Sequence, residues 1–146
     1  MKRSMEFEKC LERRRLVRQE TDSRIVDTEI RSAEYDLERA KKSFAQGDFK
    51  WGIIQAYYCI FHSAKALVCR KGYKEKSHHC LLVALRHLYC DPNEADPDLA
   101  EIFENSMGLR EEADYEMSFS EQASRIIIGD AERFLKAAKA ILDARK

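Results

Sequence analysis

The segment from Asp48 to Lys71, DFKWGIIQAYYCIFHSAKALVCRK, carries apolar side chains on nearly every face of a helix, and no other stretch restricts the fold as much. A helix that is greasy all round has no side to give to water, so it belongs in the middle of a helical assembly. Spanning a membrane is the competing use. The run from Trp51 to Cys69 barely reaches that length, however, and Gln55, His62 and Lys65 interrupt it. It reads as a buried central helix, with Asp48 as its N-cap and Gly72 as its end.

The flanking segments supply helices to surround it. Ile30, Ala33, Leu37, Ala40 and Phe44 step by 3, 4, 3 and 4, so they share one face, while Arg31, Glu34, Glu38 and Lys42 face water. Gly47 should stop that helix. Ser77 can cap a fourth helix with a Leu81, Leu85, Leu88 seam that ends near Cys90, before the turn cluster DPNEADP. A fifth runs from about Pro97 to Met117, with Asp98 and Glu101 at the positive end of its dipole and Leu99, Ile102, Leu109 and Ala113 inward. Ser118 and Glu121 have capping-box spacing ahead of a sixth, whose stripe is Ile127, Phe134, Ala137 and Ile141 and whose C-terminal cations are Lys136, Lys139, Arg145 and Lys146. The first segment, about residues 4–19, is weaker. Its stripe begins with Phe7 and Leu11 and then runs into Arg13, Arg14, Arg15 and Arg18, which predicts a loosely docked helix.

With 146 residues and 45% apolar content the chain can close one core. Five glycines and two prolines are too few for the hairpins of an all-β fold. The expected architecture is an all-α, antiparallel up-and-down bundle of four to five main helices at 25–146, preceded by a charged helical extension at 1–24. The five cysteines are odd in number and widely spaced, without a CxxC pair, so reduced thiols are expected and neither a disulfide framework nor a zinc site is indicated. MKRSMEFEKCLERRR lacks the apolar stretch of a secretory signal, which predicts a cytoplasmic protein.

The zero net charge hides a strong asymmetry. Trp51 to Cys90 holds six basic residues and one acidic, and Asp91 to Glu121 holds eleven acidic residues and one basic. RKGYKEK is therefore a basic knob suited to phosphate, with Tyr73 inside it, and the acidic stretch suits a basic partner or this knob on another copy. On the central helix Gln55, Tyr58, His62, Lys65 and Cys69 also step by 3, 4, 3 and 4. Such a polar stripe on a buried helix must meet polar partners, a ligand or a second subunit. Arg110 and Asp114, at i and i+4, can pair, with Tyr115 about 100° round the helix.

Three stretches together resemble the HEPN family (higher eukaryotes and prokaryotes nucleotide-binding). They are Gln55-Ala-Tyr-Tyr-Cys-Ile-Phe-His-Ser-Ala-Lys-Ala-Leu67, Lys76-Ser-His78 before a leucine-rich helix, and Arg110-Glu-Glu-Ala-Asp-Tyr115 before a last helix containing Ala-Glu-Arg-Phe-Leu. The resemblance implies a helical bundle that often dimerises, frequently encoded beside a minimal nucleotidyltransferase in toxin–antitoxin modules. It also implies, for many members, metal-independent ribonuclease activity from an Arg and a His with four to six residues between them. Here no His follows Arg110, and Asp114-Tyr115 takes its place. An ionised Asp next to phosphate repels the substrate and donates no proton. The expectation is a nucleotide- or RNA-binding module with a nucleotidyltransferase-like partner, which contacts nucleotide or RNA rather than cutting it and needs neither metal nor cofactor. Its site residues would be Tyr58, His62, Lys65, Arg70, His78, Arg110, Asp114 and Tyr115. The alternatives are a metal-independent endoribonuclease toxin with displaced groups, His78 and Arg110 foremost, and a non-catalytic dimeric interaction protein.

Overall fold

A computed structural model describes residues 2–144. The elements are α1 (Lys2–Glu12), β1 (Leu16–Arg18), α2 (Ser23–Ala45), α3 (Phe49–Arg70), β2 (Tyr73–Glu75), α4 (His78–Leu85), a wide π-type turn (Arg86–Cys90), α5 (Asp98–Tyr115) and α6 (Glu121–Ala144). Helix α3 runs through the centre with α2, α5 and α6 packed along it and α4 closing one end. Its Ile53, Ile60 and Leu67 are sealed from solvent, each burial contributing roughly 1.5–3 kcal/mol.

Local signals set the boundaries of these helices. Asp22 accepts from the Arg24 amide (2.9 Å) to start α2, and Asp48 accepts from the Trp51 amide (3.3 Å) to start α3. Gly47 and Gly72 end these two helices at φ +78° and +90°, a conformation open to glycine without a Cβ penalty. Ser77 caps α4 through the Cys80 amide (3.1 Å). The cap of α6 is Ser120, bonded to the Ala123 amide at 3.0 Å, in place of the expected Ser118. The buried face of α6 accordingly centres on Ile127, Ala131, Phe134, Leu135, Ala138 and Leu142, leaving Ala137 and Ile141 half-buried. The expected C-terminal cations Arg145 and Lys146 lie outside the described residues.

The region after α4 departs from a simple leucine seam. All residues from Cys80 to Leu85 are buried, and the wide turn, closed by the Asp91 amide on the Arg86 carbonyl at 2.8 Å, swings Tyr89 and Cys90 inward while Leu88 stays half-buried. Tyr89 Oη then donates to the Leu67 carbonyl at 2.5 Å, satisfying a buried hydroxyl.

The N-terminal segment is not loosely docked. Phe7, Cys10 and Leu16 are buried, Phe7 stacks on His87 at 4.1 Å, and Leu16–Arg18 pairs antiparallel with Tyr73–Glu75, a small two-stranded ribbon that helical periodicity could not announce. Cys10 and Cys80 form a disulfide, their Cα atoms 5.8 Å apart, which corrects the expectation of five reduced thiols. The cause lies in tertiary packing: α1 lies against α4 and brings together two cysteines 70 residues apart. Cys59, Cys69 and Cys90 are buried and lie outside this disulfide. No described helix is long and apolar enough to cross a membrane.

Closing so long a loop contributes about 4 kcal/mol in the chain-entropy account. Reduction, or Cys10→Ser, should lower the melting temperature by roughly 10 °C without loss of helical signal. Scanning calorimetry with and without a dithiol checks this.

Candidate functional site

The polar stripe of α3 divides into two environments. Gln55, His62 and Lys65 turn toward α2, and their needs are met inside the chain. The Gln55 amide nitrogen donates to the carbonyls of Arg39 (3.0 Å) and Trp51 (3.1 Å) and to Ser43 Oγ (2.7 Å). His62 Nδ1 lies 3.0 Å from Glu29 and Nε2 3.6 Å from Asp36. Lys65 Nζ bridges Glu29 (3.2 Å) and Glu75 (3.9 Å). Burial alone would push the Glu29 carboxyl up, but the His62 hydrogen bond and the Lys65 charge outweigh it and hold it below its usual value. Burial pushes Asp36 and Glu75 up. This is a half-buried ionic network joining α2, α3 and β2.

Tyr58 faces the other way, toward α5, and there meets Arg110. The Arg110 guanidinium sits 5.6 Å from the Tyr57 ring centre, 5.8 Å from Tyr58 and 5.6 Å from Tyr115. Its Nη2 reaches Tyr58 Oη at 3.4 Å and Asp114 at 3.5 Å, both long, and its buried Nε has no hydrogen-bond partner. The guanidinium is thus held by ring faces and two long polar contacts, with its unpaired Nε closed off from solvent.

His78 joins this group from the start of α4. Its Nδ1 lies 2.5 Å from Tyr57 Oη, and its ring centre is 4.5 Å from that of Phe61. Burial, reinforced by the Arg110 and Lys65 charges, lowers the imidazole below its usual value and keeps it neutral at pH 7. Burial also raises the Tyr57 phenol well above its usual range, so it stays protonated in its hydrogen bond with Nδ1. Where the phenol donates, the imidazole carries its proton on Nε2, and where it accepts, on Nδ1.

The structure therefore brings together Tyr58, His78, Arg110, Asp114 and Tyr115 from three helices. It sets His62 and Lys65 apart in the α2-facing network. Arg70 borders a different groove, about 640 Å³, between α2 and α6. Tyr57 and Phe61 escaped the sequence reading because their helical positions read simply as core. The i, i+4 pairing of two aromatics ahead of a histidine was the available signal. Among the described residues no group of three or more His, Cys, Asp or Glu side chains is placed to hold a metal ion.

The HEPN domain model matches residues 26–146, and the chain belongs to the HEPN domain family. Its curated relatives include an Archaeoglobus fulgidus protein named UPF0332, 31% identical over 78% of this chain and 92% of that protein. A protein of Methanocaldococcus jannaschii named as a candidate toxin is 33% identical over 77% of this chain and 88% of its own length. A second candidate toxin of that organism is 28% identical over 60% of this chain and 59% of its own length.

Because His78 binds a proton less readily folded than unfolded, its contribution to stability is present above about pH 6.5 and is lost as pH falls through the folded value. Nuclear magnetic resonance should place its titration below 6.5. Between pH 7.5 and 5.5, His78→Gln should lose less stability than the native chain in urea melts.

Proposed function

We propose that this chain is the HEPN module of a toxin–antitoxin-type pair, working in the cytoplasm with a nucleotidyltransferase-like partner and binding nucleotide or RNA at the Arg110 cluster. The observation that carries the reading is the Arg110 guanidinium, held among three tyrosine rings with only long polar contacts and sharing Tyr57 with a neutral His78. Arg110 and His78 take the phosphate, and exposed Tyr115 or half-buried Tyr58 stacks on a base. Asp114 orients the guanidinium. The names of the toxin-like relatives support the pairing with an antitoxin. A homodimer is part of the proposal, since Tyr115, Met117, Phe119 and Ile126 expose apolar surface next to the pocket's helix end.

A second reading, a metal-independent endoribonuclease, is favoured by one observation: Arg110 and His78 both meet Tyr57 although no Arg-to-His motif joins them in sequence. The motif's own place for the base is vacant, since no His follows Arg110 and Asp114-Tyr115 stands there, so binding is the reading adopted.

Titration with adenosine monophosphate tests it. Arg110→Ala should weaken binding at least about tenfold and remove the ligand-induced rise in melting temperature, while the unliganded variant stays folded. Unchanged affinity would defeat the proposal. RNA cleavage in EDTA that disappears in both His78→Ala and Arg110→Ala would install the ribonuclease reading instead.

A further inference from the structure

Residues 13–18 read Arg-Arg-Arg-Leu-Val-Arg, four cations around two apolar residues. Leu16 is buried and anchors the segment, and the antiparallel pairing of Val17 with Lys74 and Arg18 with Tyr73 fixes its register. The Lys76 amide donates to the Arg15 carbonyl at 2.7 Å, extending the ribbon by one residue. Arg13, Arg14, Arg15 and Arg18 thus stand beside Lys74 and Lys76, all six exposed. Among the described residues none of the six forms an ion pair, and Arg18 only lies over the Tyr73 ring at 5.3 Å. Arg14 even occupies a left-handed position, φ 56°, of the kind glycine usually fills at a helix end. A groove of about 480 Å³ beside the ribbon is lined by Lys9, Arg13, Arg15, Ser77 and His79, with Glu6 as its acidic member.

The acids nearby leave these cations without an ion pair. Glu6, Glu8 and Glu12 on α1 and Glu20 after β1 form no ion pair with the six among the described residues, and Glu75 is turned to Lys65. Nor does the acidic stretch of another copy suit it well, because much of that stretch is already neutralised within the chain. Glu94 pairs with Lys71, Asp96 and Asp98 with Arg133, Glu104 with Arg86 and Glu121 with Arg125. An extended row of unpaired arginines fits a polymer of phosphates, each guanidinium able to fork onto two oxygens. Lys76 and Ser77 lead directly to His78, so a strand on the ribbon runs toward the pocket.

From this placement we infer that the β1–β2 ribbon is a docking surface for the backbone of single-stranded RNA, feeding the strand to Arg110 and His78; the inference rests on the RNA-binding reading above. The β1 half lies outside the residues matched by the family model, so this surface is an addition to the shared bundle. Its contribution is sequence-independent and salt-sensitive, because each phosphate contact releases condensed counterions.

The test is fluorescence anisotropy of a labelled oligouridylate with the full chain across a salt series. The triple variant Arg13→Gln, Arg14→Gln, Arg15→Gln should bind about tenfold more weakly at low salt and flatten the slope of log K against log salt by about 2. Its melting temperature should not change, since all three side chains are exposed. An unchanged slope and affinity overturn the inference, as does equal binding of polyglutamate, which would assign the ribbon to an acidic protein. Arg110→Ala, run in parallel, separates the two claims. Binding lost in the triple variant but kept in Arg110→Ala upholds the ribbon and defeats the pocket, and the converse result does the reverse.

Discussion

Helix α3 has no face that water can take, and the architecture follows from the need to cover it. Two of its neighbours are amphipathic helices that present one apolar stripe each, and α4 contributes six consecutive buried residues. Gly52 permits the closest of these contacts: a Cβ there would fall 2.7 Å from Ser124 Oγ on α6. A sheath this complete leaves α3 little freedom to rotate, and that rigidity places Tyr57 and Tyr58 where α4 and α5 can reach them.

The polar residues on α3 show how a buried helix can carry charge without being torn open. Glu29 and Asp36 on α2 and Glu75 on β2 receive His62 and Lys65, so the cations lose water but gain anions. Arg110 is treated differently. It is surrounded by ring faces and meets the Asp114 carboxylate at 3.5 Å. A satisfied network on the α2 side of α3 thus stands against a loosely paired guanidinium on its α5 side.

Much of the scaffold could be read from residues alone. The helical stripe of α2, the caps Asp48 and Ser77, and the stops Gly47 and Gly72 are local signals, and local signals survive folding. What escaped depends on contacts distant in sequence. The 16–18 and 73–75 strands are too short for periodicity, and the Cys10–Cys80 tie requires knowing that α1 lies on α4. The α6 face is set by packing as well as by its own spacing, so its expected stripe was one residue off in part. For the site, spacing along α3 put Tyr58, His62 and Lys65 on one line. It could not tell which of them α2 would claim and which would be left to α5.

The Cys10–Cys80 bond also divides the chain topologically. Residues 10 to 80 form a closed covalent ring that contains Tyr57, Tyr58 and His78, whereas Arg110 and Tyr115 belong to the open tail that follows. The Arg110 cluster thus joins a cyclised part of the chain to a linear one, so its guanidinium and its imidazole are held together by packing alone and not by the covalent ring.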